Sequence, residues 1–196
     1  PAQLADKLEL TVLPLSFTIN GKEHYNYLDG RDISSSHFYR LLREGTQCTT
    51  SAANTNAFLS AMEPVLKKGK DILCICFSSA LSTTCASAQM AAKELVLKYP
   101  NNKIYIVDSL SASLGQGMLT YYAVQQKQNG KTIEQVYQWM EQNKLHLCHW
   151  FTVDDLNHLK RGGRISPAVA FVGSLLGMKP ILHVDDTGHL VNVGKI

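Results

Sequence analysis

The residues best equipped for chemistry in this chain are hydroxyls, gathered where apolar stretches end. Ser78, Ser79, Ser82, Thr83, Thr84 and Ser87 put six hydroxyls into ten residues. Thr49-Thr50-Ser51 form a second group, and Asp108-Ser109 with Ser111 and Ser113 a third. Hydroxyls hold ligands as neutral donors and acceptors, and a serine paired with a histidine base can act as an acyl nucleophile. Ser and Thr are also common helix caps. Capping accounts for one or two hydroxyls at a strand-to-helix junction, not for six in ten residues. The excess points to a ligand site, with its chemistry left open.

Other devices are absent or incomplete. Gly115 and Gly117 make a GxG, but Thr120 stands where a dinucleotide fingerprint wants its last glycine, and the pair lies inside a helix pattern. Gly130-Lys131-Thr132 resembles the tail of a phosphate loop, but Gln125 occupies its first glycine position. There is no HExxH and no GxSxG. The seven histidines are scattered, although His183 and His189 flank a turn and could face one another. Five cysteines with no CxxC pair argue against a disulfide framework or a zinc site and suit reduced thiols in a cytoplasm. Cys74 and Cys76 share a strand face and are badly placed to bridge each other. The net charge of +3 is spread along the chain and gives no nucleic-acid stripe. No apolar run is long enough to span a membrane, and no leader is evident, so a cytoplasmic protein without stable membrane insertion is expected.

The elements that must position the hydroxyls follow from periodicity. A strand is expected at about 10–19, ending at Asn20-Gly21, and a capped helix over 32–45. Residues 49–69 read as a helix with a break near Pro64. "DILCICFS" (71–78) and "KIYIVDS" (103–109) are continuous apolar runs, as strands covered on both faces should be. Helices follow each: one from near Ala80 to Pro100, one over 111–130, and a further one from Thr132. The alternation implies a parallel sheet flanked by helices.

Beyond about residue 147 the pattern changes. "LHLCHWFTV" alternates as a strand, "DDLNHLKRGG" is a short helix, "SPAVAFVGSLLG" an apolar one, and "KPILHVDDTGHLVNV" a hairpin. The expected fold class is therefore α/β: a first domain over 1–147 and the start of a second, α+β domain over 148–196. In an open parallel sheet ligands bind along the rim formed by the carboxyl ends of the strands. Ser78 and Ser109 should lie on that rim. Thr49 to Ser51 precede a helix, whose free N–H groups favour an anion.

Four segments then resemble a known family. "CTTSAAN" (48–54), "FSSALSTTCASAQ" (77–89), "VDSLSASLGQGML" (107–119) and "LNHLKRGGRISPAVAFVGSLLGMKPIL" (156–182) are similar, in order and spacing, to the signatures of the DegV family of bacterial fatty-acid-binding proteins. The last segment is the most specific. Three departures stand out. The family's opening strand with its TDST-like motif is not present, and the family continues past the hairpin, so both domains are expected to be incomplete. The family's TTSQPS also reads TTSAAN here.

The resemblance implies one long-chain fatty acid held between two domains. Its carboxylate would meet Thr50 and Ser79 first, with Thr49, Ser78 and Ser82 as neighbours. It implies acyl-tunnel positions among Ala112, Leu114, Met118, Val169, Phe171, Val172, Leu175 and Leu176; a plain core role competes at each. It implies a carrier rather than an enzyme, with no cofactor or metal, whose partner is the catalytic subunit of a fatty acid kinase that phosphorylates the carboxyl group. Arg161 and Arg164 would then contact that subunit, or simply end a solvated helix. Burying about fifteen methylenes at ~0.8 kcal/mol each supplies roughly 12 kcal/mol before ordering costs, so the tail gives affinity and the head needs only orientation. The competing expectations are a serine-dependent acyl hydrolase using Ser79 or Ser109, and an α/β domain whose hydroxyls are only caps.

Overall fold

The computed structural model describes residues 2–154, 156–165 and 179–195. After a short helix α1 (Ala2–Lys7) the chain forms strands β1 (Ser16–Ile19) and β2 (Lys22–Tyr25), helix α2 (Ser35–Arg43) and strand β3 (Cys48–Ser51). These three strands make an antiparallel sheet in the order β2-β1-β3. The Asn20-Gly21 turn between β1 and β2 has both φ angles positive, as the two-residue hairpin turn that matches strand twist requires. Ser34 caps α2 by accepting from the His37 N–H.

Two expectations are corrected here. The strand expected at 10–19 is confined to Ser16–Ile19, after Pro14, which has no N–H to give a ladder. Thr49 to Ser51 are not the start of a helix. They lie in β3, paired with β1 so that Thr50 stands opposite Phe17 and Thr49 opposite Thr18. The helix, α3 (Thr55–Leu66), begins after Asn54, whose side chain accepts from the Ala57 N–H. Pro64 falls within its last turn and does not end it.

The parallel pair is β4 (Ile72–Cys76) and β5 (Ile104–Asp108), with Cys76 beside Asp108 at the carboxyl end. Side chains alternate between two cores. Ile72, Cys74, Cys76, Ile104 and Ile106 pack with α3 and with α4 (Thr84–Lys98), around Phe58, Leu66, Ala88 and Leu95. Leu73, Ile75 and Val107 pack on the other face against α5 (Ser113–Gln128) and α6 (Ile133–Asn143), around Leu119 and Met140. Both faces are thus covered, which explains the uninterrupted apolar runs. Among the described residues the parallel sheet holds these two strands, and β1 pairs in the antiparallel sheet. α6 opens on a capping box in which Thr132 and Gln135 satisfy each other's backbone N–H groups.

After a 3₁₀ turn (Lys144–His146) the chain forms β6 (Trp150–Phe151), α7 (Leu156–Arg161), β7 (Pro180–Val184) and β8 (Leu190–Lys195). The strand expected across 145–153 shrinks to β6, which adds a third strand beside the β7–β8 hairpin. His183 pairs with Val191, so His183 and His189 do not face each other across the hairpin. Leu156, Ile165 and Leu182 form a separate small core. No helix among the described residues is long and apolar enough to cross a membrane.

The register of α4 is testable by denaturant melts. Leu95→Ala, at a fully buried position, should lose about 2–5 kcal/mol of stability. Leu97→Ala, at an 82% exposed position two residues on, should change it by less than roughly 0.5 kcal/mol.

Candidate functional site

The hydroxyls at the ends of β4 and β5 divide into two groups. Ser78, Ser109 and Ser111 are fully buried, and each is held by the protein itself. The Ser78 hydroxyl donates to the Gly188 carbonyl oxygen at 2.9 Å and accepts the Ala80 N–H at 3.3 Å. Its own N–H donates to the Ser111 carbonyl at 2.9 Å. The Ser109 hydroxyl accepts the Ser111 N–H, and the Ser111 hydroxyl donates to the Ser109 carbonyl at 2.9 Å. Ser82, half-buried, accepts the Thr84 N–H and lies 2.8 Å from the Thr84 hydroxyl. Residues 78–83 are therefore not the first turn of a helix, as expected from near Ala80. They form a hydroxyl-bonded turn, and α4 starts only at Thr84.

Ser79, Thr49 and Thr50 make up the second group and are exposed. Among the described residues no group hydrogen-bonds the Ser79 hydroxyl. The Ser79 N–H donates to Asp108 Oδ1 at 3.2 Å, and the same oxygen accepts the Leu110 N–H at 3.1 Å. Asp108 at the tip of β5 thus shapes the Ser79 loop, a role that its sequence context did not single out. Thr50 lies in β3 of the antiparallel sheet and Ser79 in the loop after β4, so strand pairing does not bring the two together as expected. What relates them is packing: Ala53, three residues after Thr50, and Cys76, three before Ser79, share one core.

Lys144 lies near this rim, but its Nζ donates to the Asp108 carbonyl and pairs with Glu141 at 2.8 Å. The Cys74 and Cys76 sulfurs are 3.7 Å apart. A hydrogen bond to Cys74 that favours the protonated thiol, together with burial, holds Cys76 well above the ordinary cysteine range, and the bond to Cys76 does the same for Cys85. These thiols are packing groups rather than nucleophiles.

His149 is the residue that sequence reasoning missed. Its Nε2 lies 3.4 Å from the Ser111 hydroxyl. Because Ser111 gives its proton to Ser109, His149 Nε2 is the donor, and the buried Nδ1 has no partner among the described residues. Burial, and then the charge of neighbouring His183, push the His149 pKa down. Among the described residues Ser111 is sealed, His149 Nδ1 has no orienting partner, and no histidine hydrogen-bonds Ser79 or Ser109. No local signal marks His149 in the sequence; its place shows in the structure, where a Cβ on Gly115 would lie 2.3 Å from His149 Nε2.

Of the other expected positions, Ala112 is half-buried, whereas Leu114 and Met118 on α5 are 86% and 49% exposed. Arg161 is exposed, and Arg164 Nε donates to the Leu81 carbonyl at 3.1 Å. Val169, Phe171, Val172, Leu175 and Leu176 lie outside the described residues. No group of His, Cys, Asp or Glu among the described residues is arranged to hold a metal ion.

These features define an α/β protein with a hydroxyl-lined rim at the carboxyl ends of a parallel strand pair. The model of the DegV family matches residues 1–196, and the chain belongs to that family. It is 47% identical over 195 residues to the DegV domain-containing protein CPE0026 of Clostridium perfringens, covering 100% of this chain and 67% of that one. The DegV family protein from Thermus thermophilus, whose structure is described as showing fatty acid binding, matches with a TM-score of 0.86 and 30% identity over 100% of this chain and 67% of that one. The fold alone is shared with the Streptococcus pneumoniae Fatty Acid Kinase (Fak) B3 protein loaded with linoleic acid, at a TM-score of 0.81, 20% identity, and 95% and 64% coverage. The chain spans about two thirds of the length of these relatives.

Gly115→Ala should lose about 1–3 kcal/mol through overlap with the His149 ring. Gly117→Ala, with open space around it, should gain roughly 0.5–1 kcal/mol. Urea melts of both variants, and of Gly115→Ala combined with His149→Ala to relieve the overlap, check this. The native state keeps His149 neutral, so as pH falls through about 6.5 the unfolded chain takes up that proton first. The stability linked to His149 is complete above that range and is lost below it. Urea melts at several pH values should show His149→Gln losing less stability than the unsubstituted chain between about pH 7.5 and 5.5.

Proposed function

We propose that this chain binds a long-chain fatty acid, with the carboxyl head at the rim above β4 and β5 and the Ser79 and Thr50 hydroxyls as its first donors. Thr49, next to Thr50 in β3, is a further exposed hydroxyl, on the opposite face of that strand. The observation that carries this reading is the division of hydroxyls. Ser78, Ser82, Ser109 and Ser111 are used inside the protein, while Ser79, Thr49 and Thr50 are left exposed. Capping and turn formation account for the first group but not for the second. Family membership, and the fatty acid binding described for the Thermus relative, favour a carboxylate as the ligand.

The proposed site is neutral. An unpaired carboxylate is costly to bury, but several hydroxyl donors at a partly open rim reduce that cost without fixing the head group as an arginine would. Leu114 and Met118, four residues apart on one face of α5, offer apolar surface to an acyl chain. In this reading residues 1–147 form the head-group unit, and residues 148–196 begin the unit that closes over it. The protein is a carrier, and a separate kinase subunit phosphorylates the presented carboxyl group. Of the two arginines expected to contact that partner, exposed Arg161 takes the role in this reading, since Arg164 Nε is engaged with the Leu81 carbonyl.

Native mass spectrometry of the purified protein should show one fatty acid bound. If none co-purifies and none binds in a displacement assay, the carrier reading fails. Ser79→Ala combined with Thr50→Ala should weaken binding by roughly tenfold or more, about 1.4 kcal/mol per factor of ten. Covalent labelling by a fluorophosphonate at Ser79 or Ser109 would instead establish a hydrolase.

A further inference from the structure

The turn between β7 and β8 is built to be rigid. The Asp185 carboxylate accepts the Thr187 N–H at 2.9 Å, the Thr187 hydroxyl at 2.7 Å and the His189 N–H at 2.9 Å. The Gly188 N–H donates to the Asp185 carbonyl, also at 2.9 Å. The hydrogen bond from Thr187, more than the others, holds the Asp185 carboxyl below its usual range, so the turn is braced by a charged acceptor at neutral pH.

This turn meets the head-group loop. Gly188 has φ +83°, and a Cβ built on it would lie 2.2 Å from the Ser78 hydroxyl and 3.3 Å from the Leu110 Cα. The Gly188 carbonyl accepts from Ser78 across 110 residues of sequence, at a fully buried position. A second bond crosses to the same loop, from Arg164 Nε to the Leu81 carbonyl. Residues after 147 therefore grip the loop at Ser78 and at Leu81, and the exposed Ser79 lies between the two grips.

We propose that Ser78 is a positioning residue: the 185–189 turn latches onto its hydroxyl, and this latch sets the neighbouring Ser79 hydroxyl for a carboxylate. The proposal rests on the head-group reading above and reassigns Ser78 from ligand contact to support. Docking of the hairpin and recognition of the head group then form one linked equilibrium. Each favours the other by the same factor, so lifting of the turn weakens the hold on the acid.

The test is hydrogen–deuterium exchange on the full chain, with and without palmitic acid, together with affinities for palmitic acid and for hexadecanol. In the unsubstituted chain, palmitic acid should slow exchange at residues 186–189 as well as at 79–82. Ser78→Ala should speed exchange at 186–189 about tenfold, weaken palmitic acid about tenfold, and change hexadecanol by less than twofold. Gly188→Ala, which disturbs the latch from the other side, should show the same pattern. Three outcomes overturn the proposal: unchanged exchange at 186–189 in Ser78→Ala, equal losses for acid and alcohol, or protection by palmitic acid confined to 79–82. If the unsubstituted chain binds no fatty acid, the head-group reading falls. The exchange rates of Ser78→Ala then still decide whether Ser78 holds the turn.

Discussion

Polar groups buried at the carboxyl ends of β4 and β5 must find partners inside the protein, and much of the architecture around the rim follows from that demand. Leaving one buried donor or acceptor unpaired costs about 1–3 kcal/mol. Ser78, Ser109 and Ser111 are all sealed from solvent. Ser109 and Ser111 satisfy each other locally, through a two-residue turn. Ser78 cannot do so, and its donor reaches a carbonyl of the β7–β8 turn. That reach favours a glycine at 188, just as the approach of the His149 ring to α5 favours a glycine at 115.

With those hydroxyls committed, the exposed ones are set apart physically. Ser79 projects from a loop fixed by Asp108 on one side and by Gly188 and Arg164 contacts on the other. Thr49 and Thr50 sit on a short strand tied to the same core through Ala53. A rigid frame that presents neutral hydroxyls suits the proposed ligand. The long apolar tail supplies affinity, so the polar end can be oriented without being neutralised.

Much of the fold was legible because its signals are local. Asn20-Gly21 marked the end of a strand, the segment 32–45 and Thr132 marked helices, and the runs at 71–78 and 103–109 marked strands buried on both faces. The elements misread from sequence are those whose partners are distant. Cys48–Ser51 is too short and too polar to announce a strand, and it becomes one only by pairing with β1. The turn at 78–83 looked like a helix start because Ser and Thr serve equally as caps and as turn formers. His149 carried no motif of its own; only its contact with Gly115 and Ser111 gives it a place.

The sequence by itself determined the family, the alternation of strands and helices, and the three hydroxyl clusters, because periodicity, turn chemistry and motif spacing act over a few residues at a time. Only the tertiary structure decided which hydroxyls are used up and which are left over. That decision depends on burial and on a carbonyl 110 residues away from Ser78, and no local pattern encodes either. Ser78 and Ser79 are adjacent in the chain and identical in type, yet one is sealed and bonded while the other is exposed, because the hairpin turn packs on the first and not on the second.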